Sequence, residues 1–130
     1  MQVLESKAST YKSDCYKLYC NLFGSGNPNS YWFALDSKYS KRFLIKQFLK
    51  FGFEEFHYSD SATSILFNEK EKLLISMIKH EKDSNSYLRV WFGDLNNVST
   101  NLKQELIKFV FRYRIIQTNE PKFHMVSYNG

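Results

Sequence analysis

The sequence predicts a single-domain α+β protein, with three helices packed on a mainly antiparallel sheet of about five strands. Three segments carry apolar residues at the spacing of one helix face, and a series of short strands lies between the second and the third. Within that series, ATSILF and KLLISMIKH are separated by the polar residues NEKE, a length suited to a hairpin loop. The 130 residues have the size of one domain, and no linker or repeat divides residues 1–130.

The first helix is predicted from an apolar stripe near the start of the chain. Its members follow one another at steps of four, three, four, three and four residues, so they share one helix face. They are Leu4, Ala8, Tyr11, Cys15, Leu18 and Leu22. Gly24 then stands where a C-cap glycine is expected.

Two further helices are predicted from the same kind of pattern. The second covers 38–51 and ends at Gly52. The third begins near Asn101, which we expect to form a capping pair with Gln104, and runs to about Arg114. Its apolar face consists of Leu102, Leu106, Phe109, Val110 and Tyr113.

The strands are predicted from short apolar and aromatic runs bounded by turn residues. They cover 30–36, 53–59, 62–67, 72–80 and 86–92, and an edge strand is expected near 122–128. The resulting order is α-β-α-β-β-β-β-α-β, which is typical of an antiparallel sheet with helices laid on it.

Composition limits the classes of protein to which the chain can belong. The 18 Lys and Arg against 13 Asp and Glu give a net charge of +5, which is compatible with an anionic partner. No apolar run approaches the roughly 20 residues that span a bilayer, and the opening MQVLESKAST has no signal-peptide core, so we expect a small soluble cytoplasmic protein without a membrane partner. The abundance of Lys, Asn, Ser, Tyr and Phe suggests an AT-rich gene, as in many mobile genetic elements.

No motif of catalysis or metal binding is present. Cys15 and Cys20, with His57, His80 and His124, lack the spacing of a zinc site, and Cys15 belongs to the apolar stripe. No serine lies in a G-x-S-x-G elbow, and GSGNP lacks the lysine of a phosphate-binding loop. The sequence therefore favours a non-catalytic protein, with no catalytic residue, no metal and no cofactor.

The second helix carries the first candidate binding surface. At 100° per residue, Arg42, Lys46 and Lys50 form one row, with Tyr39 and Phe43 beside it. Such a row can follow a phosphate backbone while the rings contact bases. The alternative is a solvated helix face whose Lys and Arg stems cover the two rings.

The strand YLRVWF carries the second candidate surface. Tyr87, Arg89 and Trp91 share one side of this strand, so an uncovered sheet face would make them a platform for stacking bases. The pattern does not match the RNP1 motif of RRM domains. The alternative is that a helix covers this face, with Arg89 near an edge and paired with Glu54 or Asp94.

These features predict a non-catalytic binding protein and favour nucleic acid as the partner. The competing hypothesis is a small protein-binding inhibitor, of the immunity or phage and plasmid counter-defence type, that acts on a host or toxin protein. That hypothesis places Trp32 or Trp91 near the centre of the interface.

Overall fold

The computed structural model describes residues 11–24, 27–56, 63–79 and 86–121. Within these residues the α+β class is confirmed, with three helices and a six-stranded sheet instead of about five strands. The elements are α1 (Tyr11–Phe23), β1 (Asn29–Leu35), α2 (Lys41–Leu49), β2 (Glu54–Glu55), β3 (Thr63–Asn68), β4 (Leu73–Lys79), β5 (Ser86–Phe92), α3 (Thr100–Arg112) and β6 (Ile116–Thr118). A short 3-10 turn, Leu95–Asn97, precedes α3.

The sheet has the strand order β2-β3-β4-β5-β1-β6, and every neighbouring pair is antiparallel. The strands β3, β4 and β5 follow one another as hairpins. The strand β1 instead inserts between β5 and β6, so the first strand of the chain is an interior strand. Among the residues that the structure describes, both edges are short, with two residues in β2 and three in β6, so these edges offer little backbone for pairing with another chain.

Two predicted strands differ from the observed ones. The strand expected over 53–59 is reduced to Glu54–Glu55 in its described part, and 57–59 lie outside the described residues. The edge strand expected near 122–128 also lies outside them. An edge strand that was not predicted, β6, follows α3 and pairs with β1. The first residues of the predicted first helix, including Leu4 and Ala8, fall outside the described residues as well.

Helices cover both faces of the sheet. The residues of α2 and α3 pack on one face, where Leu44 and Phe109 join a cluster that includes Leu88 and Phe92. The helix α1 packs on the other face, where Leu18 joins a smaller cluster. Because side chains alternate along a strand, β5 contributes to both clusters, and this double coverage explains its nearly continuous apolar sequence.

Serine side chains cap the N-termini of α2 and α3, the two helices that share one face of the sheet. Ser40 Oγ accepts a hydrogen bond from the Phe43 backbone N–H at 3.1 Å. Ser99 Oγ accepts one from the Leu102 N–H at 3.2 Å, so Ser99 caps α3 in place of the predicted Asn101. The serine lies one residue before the first helical position, where its extended backbone directs the hydroxyl at the free N–H groups.

The connectivity makes α2 and α3 run in opposite directions. The strand β1 leads into α2 from the end of the sheet at Leu35, whereas β5 leads into α3 from the opposite end at Phe92, since Asn29 pairs with Phe92 and Leu35 with Ser86. The start of α2 therefore lies beside the end of α3. Ring contacts between these two helix ends, described below, bear this out.

Candidate functional site

The row predicted on α2 is exposed, and its opposite side is buried. Arg42, Lys46 and Lys50 are exposed, whereas Leu44, Ile45 and Phe48 are at most 3% exposed in the core. This arrangement follows from the helical repeat, because residues four apart lie on one side of the helix. It is compatible with either reading of the row, as a binding surface or as a solvated face.

Arg42 is tied to an acidic residue that the sequence did not place nearby. Its Nη1 donates to Glu55 Oε1 at 2.8 Å and its Nη2 donates to Glu55 Oε2 at 3.2 Å, which is a bidentate pair. The hydrogen bond to Glu55, and then its charge, raise the pKa of Arg42 above the usual value. The charge of Arg42 is therefore largely offset. Lys46 remains exposed beside it, and Lys50 Nζ donates to Gln47 Oε1 at 3.1 Å.

The end of α3 adds basic residues to the same helical layer. Residues 38–50 contain five Lys or Arg and residues 108–114 contain three, and neither segment contains an acid. With eight positive charges in these segments and a chain total of +5, all remaining residues together carry −3. We call the exposed members of this set the basic helical face: Lys38, Arg42, Lys46, Lys50, Lys108, Arg112 and Arg114.

Three aromatic rings join the two helix ends within this face. Tyr39 and Phe43 stack at 5.8 Å between ring centroids, and the ring of Tyr113 meets them edge-on at 5.1 and 5.5 Å. Phe43 keeps 38% of its surface exposed, and Lys38 Nζ lies 5.9 Å from the centroid of the Tyr39 ring. The sequence did not identify Tyr113, Lys108, Arg112 or Arg114 as site residues. The high density of basic residues in 108–114 was the signal that could have found the three cationic ones.

The second candidate surface, on β5, is largely buried. Arg89 is 5% exposed and Trp91 is 2% exposed, and Trp91 packs in the cluster under α1, where Tyr16 meets its ring edge-on at 6.2 Å. The expectation of an open stacking platform was therefore wrong for these two side chains, and the alternative of a covered face describes them. Tyr87, near the start of the strand, is half-buried.

Arg89 lies between two indole rings on this buried face. Its Cζ is 3.9 Å from the ring centroid of Trp91 and 4.7 Å from that of Trp32, which belongs to the neighbouring strand. Its Nε donates to Ser30 Oγ at 2.7 Å. The expected position near a sheet edge was wrong, because β5 lies between β4 and β1. The two rings and the serine hydroxyl are favourable contacts for a guanidinium at this depth.

The structure places no metal or membrane-spanning feature in the part of the chain that it describes. No group of three or more His, Cys, Asp and Glu side chains in 11–24, 27–56, 63–79 and 86–121 is arranged to hold a metal ion. No helix within these ranges combines the length and apolarity needed to cross a bilayer. Cys15 is buried in the α1 cluster, as its place in the apolar stripe predicts.

Comparison with known proteins adds no relative. No protein-family model matches the chain, and searches of curated proteins and of solved structures find no match.

Proposed function

We propose that this chain is a non-catalytic nucleic-acid-binding protein that uses its basic helical face. The observation that carries the proposal is a local excess of positive charge: two segments in one helical layer hold eight basic residues and no acid, with Glu105 of α3 3.8 Å from Lys108, in a chain whose net charge is only +5. Lys and Arg side chains gathered in this way neutralise phosphates and release the cations condensed around them.

The aromatic rings within the face support this partner over a simple anion. Phe43 is 38% exposed and stacked on Tyr39, so its free side offers a flat surface beside the cationic side chains. An unpaired base can stack on such a surface, which contributes about 1–3 kcal/mol per base in single-strand binders. We therefore expect single-stranded DNA or RNA to bind more tightly than duplex DNA.

The test is fluorescence-polarisation titration of labelled single-stranded DNA, single-stranded RNA and duplex DNA at two salt concentrations. The test variant combines Lys46→Glu, Lys50→Glu and Arg112→Glu. Arg42 is left intact, because its reversal would place a second carboxylate against Glu55 and confuse binding with folding. The matched control combines Lys17→Glu, Lys70→Glu and Lys72→Glu, which changes the net charge equally at exposed positions outside the basic helical face.

We expect the test variant to lose about 100-fold in affinity at low salt and to have a shallower salt dependence, since each lost phosphate contact lowers the slope by about 0.7–0.9. The control should lose far less. Equal losses of affinity in the two variants would show that binding depends only on net charge, and would contradict the assignment of the basic helical face as the binding site. A version with Lys46→Gln, Lys50→Gln and Arg112→Gln separates charge loss from any unfavourable effect of acids at the helix C-termini.

A second candidate function, a protein-binding inhibitor, is supported by apolar side chains on the outer side of α3. Phe111 is 80% exposed and Ile107 is 55% exposed, one helical turn apart. Exposed apolar residues that lie together are typical of protein interfaces. Trp32 and Trp91, the anchors expected from the sequence, are 7% and 2% exposed and so unsuited to that role. A stable complex lost with Phe111→Ser, while nucleic-acid binding is unchanged, would favour this function.

A further inference from the structure

A cavity of about 140 Å³ lies between the helical layer and the sheet, beneath α3. The strands β1, β4 and β5 form its floor, and α3, the 3-10 turn and Phe48 of α2 form its roof. Only apolar atoms line it. Its lining includes Tyr31, Phe33, Val90, Leu95, Leu106 and Val110.

The cavity is open to solvent along β1. Phe33 and Val90 point towards the helices yet remain half-buried, as do Leu106 and Val110 on the helix above them. Tyr31 and Leu95 are 44% and 37% exposed at the mouth. The helical layer thus leaves a gap that reaches β4 and β5 and opens to solvent at Tyr31 of β1 and Leu95. A small molecule can enter this gap without displacing a core side chain.

We propose that this cavity binds a small apolar ligand, with the size of a single aromatic ring or a short branched hydrocarbon group. Water is a poor occupant, because a buried water needs two to four polar partners and the lining offers none. A charged or strongly polar ligand would lose its hydration without compensation.

Size narrows the class of ligand. An apolar cavity of about 150 Å³ lined by Leu, Ile and Phe side chains holds benzene. A cavity of about 140 Å³ therefore suits a ring of six or seven heavy atoms, and larger molecules must extend through the mouth past Tyr31 and Leu95. No residue of the basic helical face lines this cavity, so the site is distinct from that face.

The first experiment compares toluene with N-methylpyridinium, which has nearly the same shape but carries a charge. Toluene at about ten times its Kd should raise the Tm of the intact chain by about 4–6 °C and shift the NMR signals of residues around the cavity. N-methylpyridinium at the same concentration should leave both unchanged. Absence of any saturable response to toluene, or an equal response to the cation, would overturn the proposal.

A pair of substitutions on α3 locates the site. Val110→Phe fills the cavity and should abolish the toluene response, whereas Ile107→Phe adds a ring on the exposed side of the same helix and should preserve it. Leu106→Phe is a second filling variant in case Val110→Phe does not fold. A toluene response that survives in a folded filling variant would place the ligand elsewhere and refute the assignment.

Discussion

The two faces of the sheet use the same residue types for different purposes. Under α1, Arg89 and two tryptophans form a closed cluster in which the guanidinium lies 3.9 Å from the nearer ring centroid. Across the sheet, cations and aromatic rings on α2 and α3 remain at the surface, with Phe43 38% exposed. Composition alone does not separate these cases. The coverage of each face decides whether a cation beside a ring stabilises the fold or remains available to a partner.

The largest expected effect lies under α1. Trp91→Ala should lower the free energy of unfolding by about 3–5 kcal/mol, because it removes a side chain that is only 2% exposed and leaves a cavity. Urea denaturation measures the change. Phe43→Ala on the exposed face should cost less than about 1.5 kcal/mol. Similar losses at the two positions would contradict the contrast between the faces.

Trp91→Phe is the control for the role of the indole N–H. That group is buried and has no hydrogen-bond partner among the residues that the structure describes. Replacement by Phe should therefore cost much less than replacement by Ala, and a loss as large would point to a polar contact of the N–H.

The next largest effect on stability is expected at Arg89, where two substitutions separate the contribution of packing from that of charge. Arg89→Ala should cost about 2 kcal/mol, since it empties the space between the rings of Trp32 and Trp91. Arg89→Met fills most of that space without a charge and should recover at least about half of the loss. Denaturation of both variants at one pH gives the comparison. If Met is as damaging as Ala, the charge and its bond to Ser30 dominate instead.

Local patterns account for what the sequence predicted correctly. The apolar repeats predicted all three helices and the buried side of α2, and strand alternation put Tyr87, Arg89 and Trp91 on a common side. These features depend on residues close together in the chain.

The features that were missed depend on long-range packing. The insertion of β1 beside β5, the pair of Arg42 with Glu55, and the approach of Tyr113 to α2 all join segments far apart in sequence. The cavity beside α3 also results from how the helices are spaced over the sheet. No periodic pattern encodes such a distance.

Tyr19 offers a smaller effect that depends on pH. It lies in α1 at 1% exposure, and its hydroxyl donates to the Lys72 carbonyl at 2.7 Å, which ties the helix to the β3–β4 turn. Burial raises the pKa of Tyr19 above its ordinary value of 10.0. The fold therefore favours the protonated phenol: this stabilisation is fully present below pH 10.0 and is lost as the pH rises through the higher folded-state pKa.

Tyr19→Phe tests this dependence. At neutral pH the variant should lose about 1 kcal/mol with the hydrogen bond. Above about pH 10, its stability should fall less steeply than that of the unmodified chain, because Phe has no proton to release. Denaturant titrations at several pH values measure both slopes. Parallel pH profiles would mean that Tyr19 does not titrate with unfolding.

The smallest effect on stability is expected at the exposed pair of Arg42 and Glu55. Because Arg42 belongs to the basic helical face, a substitution here also tests the proposed function. Glu55→Gln should cost less than about 1 kcal/mol, and less still at high salt, because the Arg42 side chain is 60% exposed. The same change frees the guanidinium on the basic helical face. We therefore expect single-stranded nucleic acid to bind Glu55→Gln about 2–10-fold more tightly at low salt.

Glu54→Gln is the matched control, since it removes the same charge from the neighbouring position, whose side chain points to the other face of the sheet. Equal gains in affinity in the two variants would reflect net charge alone. A gain confined to Glu55→Gln would identify Arg42 as a phosphate contact that the ion pair with Glu55 weakens in the unmodified chain.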